Sequence, residues 1–145
     1  MIRLYTPQDQ PQLLALIDRL IPSAFAKEER RDFETYLNEG REDYFVYEHE
    51  GKLIGSGGIN YLKNAKTARL SWDLVHPDFH GSGIGSQLVQ HRIAHVKKAK
   101  QYAILEVRTS QVAFQFYQKF GFQTLQITEN YWAEGFDLYH MTQAL

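Results

Sequence analysis

Val75-His76-Pro77-Asp78-Phe79-His80-Gly81-Ser82-Gly83-Ile84-Gly85-Ser86 joins three local patterns. An alternating strand pattern ends at Val75, three closely spaced glycines follow, and a helical pattern begins near Gly83. Glycine lets the backbone come close to a ligand. The free N–H groups of a helix's first turn, with the helix dipole behind them, favour an anion. The stretch therefore predicts a phosphate-binding turn between a strand and a helix. A Walker A loop needs G-x-x-x-x-G-K-[ST], and no segment matches it. A dinucleotide fingerprint needs a third glycine where Ser86 stands, and it follows the first strand of its unit. Here the preceding strand is the fourth.

Working outward, Ile2–Tyr5 reads as a strand and Thr6-Pro7-Gln8-Asp9 as a helix start. Leu13, Leu14, Ile17, Leu20 and Ile21 recur at helical spacing until Pro22. Lys27 to Glu39 predicts a second helix, with Gly40 as its C′ residue. Tyr44–His49 and Lys52–Asn60 predict a hairpin turning at Glu50-Gly51, and Gly55, Gly57 and Gly58 suggest a bulge. Lys66–Val75 alternates, which puts Leu70, Trp72 and Leu74 on one face and Ser71, Asp73 and Val75 on the other. The helix from Gly83 to Lys98 carries Ile84, Leu88, Val89, Ile93 and Val96 as its apolar stripe. Ala103–Val107 reads as a strand buried on both faces, Gln111–Lys119 as a short helix, and Phe122–Thr128 and Phe136–Thr142 as closing strands. This order predicts an α/β domain with a mixed, mainly antiparallel sheet of about seven strands and about four helices.

The chain has 145 residues, 43% hydrophobic and 23% charged, which fits one globular domain spanning 1–145. A net charge of −1 argues against a nucleic-acid partner. Lys97, Lys98 and Lys100 fall where a helix should end and suit its dipole. No apolar run reaches membrane-spanning length, and Met1–Tyr5 lacks the apolar core of a signal peptide. With no cysteine, disulfides, thiolate metal sites and thiol nucleophiles are excluded. The expected location is the cytoplasm, and no metal is expected.

A second block stands downstream: Ser110-Gln111-Val112-Ala113-Phe114-Gln115-Phe116-Tyr117-Gln118-Lys119-Phe120-Gly121-Phe122. His80-Gly81-Ser82-Gly83-Ile84-Gly85 resembles the pyrophosphate loop [Q/R]-x-x-G-x-[G/A] of the GNAT N-acetyltransferase superfamily. The downstream block resembles that family's N-x-x-A-x-x-F-Y-x-x-x-G-F segment, through Ala113, Phe116, Tyr117, Gly121 and Phe122. His80 stands where Gln or Arg is usual, and Ser110 where Asn is usual. The resemblance implies a V-shaped opening between strands 4 and 5 that receives acetyl-CoA as cosubstrate. It implies that the backbone of Leu74 and Val75 pairs with the pantetheine arm. The amides from Gly81 through Ser82, Gly83, Ile84 and Gly85 to Ser86 would hold the pyrophosphate, with His80, Ser110 and Phe114 as further cofactor contacts.

The implied reaction is direct acetyl transfer to a primary amine of a small molecule, peptide or protein. It needs a neutral amine, stabilisation of an oxyanion and a proton for the departing thiolate. The resemblance assigns the proton donor to Tyr117 and an oxyanion contact to the Val75 N–H. Two carboxylates compete for the base, with a chain of waters as the alternative to both. Glu106 lies in Leu105-Glu106-Val107-Arg108, similar to a run in the ribosomal-protein N-terminal acetyltransferase branch; its alternative is an ion pair with Arg108 or Arg69. Asp73 is the other, with a structural hydrogen bond as its alternative. Acceptor-side candidates are Phe25, Glu28, Glu29, Tyr36, Glu129, Asn130, Tyr131, Trp132 and Glu134, whose acidic and aromatic members suit a cationic amine. A homodimer is also expected. The competing functions are a non-catalytic acyl-CoA-binding or sensing domain, which would need no Tyr117, and an unrelated nucleotide-binding domain.

Overall fold

The computed structural model covers residues 1–145. The chain runs β1 (Ile2–Leu4), α1 (Gln10–Asp18), α2 (Glu29–Thr35), β2 (Asp43–His49), β3 (Lys52–Leu62), β4 (Thr67–Val75), α3 (Ile84–Ala99), β5 (Ile104–Thr109), α4 (Phe114–Gln118), β6 (Gln123–Ala133) and β7 (Phe136–Ala144). The seven strands form one sheet in the order β1-β2-β3-β4-β5-β7-β6. β4 and β5 are parallel, and every other neighbouring pair is antiparallel. α3 supplies the long crossover that a parallel pair requires.

Helices cover both faces. On one, Leu13, Leu16 and Ile17 of α1 and Phe33 of α2 pack with Tyr44, Val46, Leu53 and Leu74. On the other, Ile84, Leu88, Val89 and Val96 of α3 and Tyr117 of α4 pack with Leu70, Leu105, Val107 and Met141. No helix is long and apolar enough to cross a membrane. The β2–β3 hairpin turns at Glu50 (φ 51°) and Gly51 (φ 76°), the double left-handed geometry that matches strand twist.

Leu70 and Leu74 were expected on one face, but they lie in opposite cores. Gly58 pairs with Ser71 and Ser56 with Leu74, so Gly57 alone faces both Trp72 and Asp73. This is a bulge, and Trp72 sits at its crest with φ 51°. The extra residue reverses the alternation. Trp72 and Leu74 turn toward α1 and α2, while Asp73 and Val75 turn toward α3. The buried Tyr44 hydroxyl donates to the Trp72 carbonyl at 2.8 Å, satisfying a group the bulge removes from the ladder.

The second helix also departs from expectation. α2 stops at Thr35 and continues as one π-helical turn, Tyr36–Gly40, closed by the Arg41 N–H on the Tyr36 carbonyl at 2.9 Å. Gly40 is therefore inside the wide turn rather than a left-handed C′ residue. A Cβ there would sit 3.3 Å from the Tyr36 ring. The third departure is in α3, where the residue on the buried stripe is Arg92 in place of Ile93.

Gly58 shows how tightly β3 is covered. A Cβ on it would lie 2.5 Å from Tyr44 Cδ1 and 2.7 Å from the Tyr36 hydroxyl. Tyr44 is 1% exposed and tied by its hydroxyl, so it cannot give way. Gly58→Ala should cost about 1–3 kcal/mol through overpacking. Urea unfolding checks this, and a loss under 0.5 kcal/mol (about the scatter expected of surface changes) would mean the aromatic layer is slack.

Candidate active site

β4 and β5 pair only from Thr67↔Ile104 to Leu70↔Val107, although the strands run on to Val75 and Thr109. Beyond that point they part. The bulge at Trp72 comes two residues after Leu70, the last paired residue, and turns β4 away. The result is a cleft of about 420 Å³ between the two strands. Its floor is Leu70, Asp73, Val107 and Tyr117; Phe25, Tyr36 and Trp72 wall one side and Trp132 and Phe136 the other.

The fork leaves β4 with a free edge. The His76 N–H bonds Ile54 across the sheet, so by antiparallel alternation the N–H and C=O of Val75 point out of that ladder, into the fork. His80 Nε2 lies 2.8 Å from the Val75 carbonyl. Leu74 is fully buried, and by the same alternation its N–H and C=O face Ser56 of β3 rather than the fork.

After Val75 the chain makes a 3-10 turn, Pro77–Phe79, then passes Gly81 (φ 80°) and Gly83 (φ 87°) into α3. The N–H groups of Gly81, Gly83, Ile84, Gly85 and Ser86 have no acceptor in the protein. The first turn of α3 carries no acidic side chain, and Lys97 and Lys98 close its last turn. The arrangement is an open cradle of donors with a positive dipole end, suited to a phosphate. Within it Ser82 bonds back to the Phe79 carbonyl, Ile84 is buried in the core, and Gly85 gives Phe116 and Val75 room to approach.

At the floor of the fork the Tyr117 hydroxyl donates to Asp73 Oδ2. Burial and the nearby Asp73 charge push the Tyr117 hydroxyl well above its ordinary range, so it holds its proton at neutral pH. Behind Asp73 lies Arg92, 0% exposed. Its Nη1 is 2.5 Å from Asp73 Oδ1 and donates to the Gly58 carbonyl at 3.0 Å, while Nε donates to the Leu88 carbonyl at 3.0 Å. The contact with Asp73 is charge on charge without good alignment: neither Oδ1 nor Arg92 Nη2 has a well-directed hydrogen-bond partner. Burial opposes the Arg92 charge, and Asp73 outweighs that, holding it above the usual range. Gly57 makes the pair possible, since a Cβ there would sit 2.6 Å from Asp73 Oδ1 and 2.7 Å from Arg92 Cζ.

Arg92 was absent from the sequence-derived site. The signal was there: Leu88, Arg92 and Val96 are spaced i, i+4, i+8, and a cation in the middle of an apolar stripe needs a buried partner.

Glu106 lies on the opposite face of β5 from Leu105 and Val107. Its carboxylate accepts from Arg69 Nε and is bonded to His140 Nε2, both at 2.6 Å. Burial raises its pKa, but these two bonds outweigh that and lower it. It does not line the cleft. The structure thus joins Asp73 with Tyr117 and leaves Glu106 in a separate ion-paired cluster.

Ser110 borders the cleft; its hydroxyl accepts from the Val112 N–H at 3.2 Å, capping the turn before α4 rather than the helix itself. Phe114 stacks on Tyr139 with ring centroids 4.4 Å apart. On the acceptor side, Glu29 is buried and accepts from the Ala26 N–H at 2.8 Å; burial raises its pKa. Arg108 lies over the Tyr131 and Trp132 rings and donates to the Tyr131 hydroxyl at 2.6 Å.

Residues 7–145 match the sequence model of the acetyltransferase (GNAT) domain. The chain is 32% identical to an amino-acid acetyltransferase of Pasteurella multocida, over 88% of this chain but 28% of that one. It thus spans little more than a quarter of the length of that relative. It is 27% identical to an N-alpha-acetyltransferase of Sulfolobus acidocaldarius over 99% of this chain and 92% of that one. Among solved structures, an N-acetyltransferase from Staphylococcus aureus superposes with a TM-score of 0.76 at 26% identity, covering 99% of this chain and 97% of that one. An acetyltransferase from Salmonella typhimurium, solved with its cofactor acetyl-CoA, shares the fold with a TM-score of 0.75 at 16% identity, covering 100% of this chain and 93% of that one.

Proposed function

Since the chain belongs to the GNAT acetyltransferase domain family, we propose that it transfers the acetyl group of acetyl-CoA directly to a primary amine. The observation that carries this reading is the Tyr117–Asp73 pair on the floor of the fork. An acyl-CoA-binding domain without catalysis would have no use for a protonated tyrosine and a carboxylate at that point. The open amides from Gly81 to Ser86 are suited to the pyrophosphate, and the free edge at Val75 to the amides of the pantetheine arm. His80, already on the Val75 carbonyl, would border that arm. In this reading Tyr117 is the acid. Asp73 is a better base than Glu106, because it faces the cleft while Glu106 is held by Arg69 and His140.

The lining charges narrow the acceptor. Four charged side chains border the cleft: Glu29, Arg69, Asp73 and Arg108. Arg69 is paired with Glu106, and Asp73 with Arg92. Glu29 and Arg108 have no oppositely charged side chain. One uncompensated anion and one uncompensated cation across an aromatic-lined space complement a small acceptor carrying both an amine and a carboxylate. The two amino-acid and N-alpha acetyltransferase relatives act, by their names, on related groups.

The test is acetyl-CoA-dependent thiol release with a panel of amino acids and their methyl esters. Free acids should be preferred, and Arg108→Gln should raise their KM at least about tenfold, roughly the worth of one charge-assisted contact, without changing the esters. Binding of acetyl-CoA without turnover on any amine would favour the sensing function instead.

A further inference from the structure

The Tyr117–Asp73–Arg92 row raises a problem of proton accounting. Tyr117 is to protonate the departing sulfur, yet its own hydroxyl is bonded to a carboxylate. An ordinary tyrosine, near 10, is about thirtyfold too weak an acid to protonate a thiolate near 8.5 outright, whereas a carboxylic acid, near 4, is amply strong. Burial beside Asp73 widens the gap for Tyr117. A lone tyrosine in this position is a poor donor, and one whose proton is replaced as it leaves is a good one.

We propose, on the reading of the site as an acetyltransferase, that Asp73 and Tyr117 act as one proton-transfer unit, Asp73 collecting the proton of the attacking amine and returning it through Tyr117 to the sulfur, with Arg92 as the positioning residue. The geometry supplies each part. Asp73 lines the cleft with its side chain 20% exposed, so an amine can reach it. Oδ2 is on the Tyr117 hydroxyl and Oδ1 is on Arg92, so the two oxygens are committed to different neighbours. Arg92 cannot swing out, being anchored on the Leu88 and Gly58 carbonyls and wholly buried. The bulge at Trp72 turns Asp73 to the α3 face, where both partners are.

The balance closes. The N–C bond forms and the C–S bond breaks. The amine loses one proton to Asp73, the sulfur gains one from Tyr117, and Tyr117 recovers one from Asp73. Both side chains end as they began, and no other reactant is consumed. Glu106 has no part in this path.

Four measurements test it. Tyr117→Phe and Asp73→Asn should each lower kcat by roughly 10²–10⁴-fold, and the double variant should be no slower than the worse single, because a relay fails as a unit. The proton inventory in mixed light and heavy water should be curved, with more than one proton in flight. In the resting protein, carbon NMR of ring-labelled tyrosine should show the Tyr117 signal moved by Asp73→Asn and unmoved by Glu106→Gln. For Arg92, the conservative Arg92→Lys should retain more kcat than Arg92→Gln, with an unchanged KM for acetyl-CoA in both. Losses that multiply in the double variant, or an Asp73→Asn enzyme within a fewfold of the parent, overturn the relay. A parent protein that does not bind acetyl-CoA by calorimetry would instead overturn the acetyltransferase reading, and the two failures are thereby told apart.

Discussion

Arg92→Met should destabilise the protein by about 3–5 kcal/mol, the cost of removing one partner from a buried ion pair. Arg92 is 0% exposed, and it faces Asp73 at 2.5 Å. Methionine fills much of the space but leaves a carboxylate with its charge uncompensated. It also strips the Leu88 and Gly58 carbonyls of a donor. The midpoint of thermal unfolding should fall by on the order of 10 °C. The double variant Arg92→Met with Asp73→Asn should recover most of the loss, since no net charge is then left behind. A single variant that loses less than about 1 kcal/mol (the central tendency of point mutants) would show that water reaches Asp73 freely. Arg92 then could not act as its fixed neighbour.

The second large effect is on binding. Gly83→Glu should weaken acetyl-CoA binding at least about a hundredfold, more than 2.7 kcal/mol on the usual scale. Gly83 has φ 87°, and a side chain in that left-handed region costs about 1–2 kcal/mol. Nothing lies within 4 Å of where its Cβ would be, so the variant should still fold. The rest comes from charge: the carboxylate would stand before five unpaired amides at the start of a helix, where it competes with the ligand's own anion. Gly83→Ala separates the two causes, and should lose only about tenfold, from the backbone alone. Calorimetry with acetyl-CoA reads both. Normal binding by the Glu variant would remove the amide cradle from the site.

Much of this architecture could be read in the residues, and the failures have a common origin. The strand order, the hairpin turn at Glu50-Gly51 and the glycine turn into α3 are local signals, written in periodicity and turn chemistry. The parallel β4–β5 pair then follows from one helical crossover, whereas the insertion of β7 between β5 and β6 is a long-range pairing that no local signal carries. What escaped depends on contacts between distant segments. Strict alternation cannot show that Leu70 and Leu74 lie in different cores, because the bulge at Trp72 is set by Gly57 on the neighbouring strand. The π-helical turn at Tyr36–Gly40 likewise answers to packing of Tyr36 over the sheet. For the site, Tyr117 and Asp73 came from sequence as separate candidates, and their direct bond could come only from three dimensions. Glu106 looked functional because it is a charge in an apolar strand. The pairing with Arg69 that the sequence left open as its alternative is what the fold provides, with His140 added.

A strand is a wave with a period of two residues, and the bulge at Trp72 is a half-period slip in that wave. Upstream of it, odd and even positions mean one thing; downstream they have exchanged meaning. The chemistry of β4 is thus carried by a count as well as by composition. Regularising the pairing with every residue kept would leave each side chain in the strand unaltered, yet Asp73 and Val75 would exchange layers with Leu74. Gene changes that preserve every functional letter could still silence this fork, and a change that merely restored regularity to the strand would be among them.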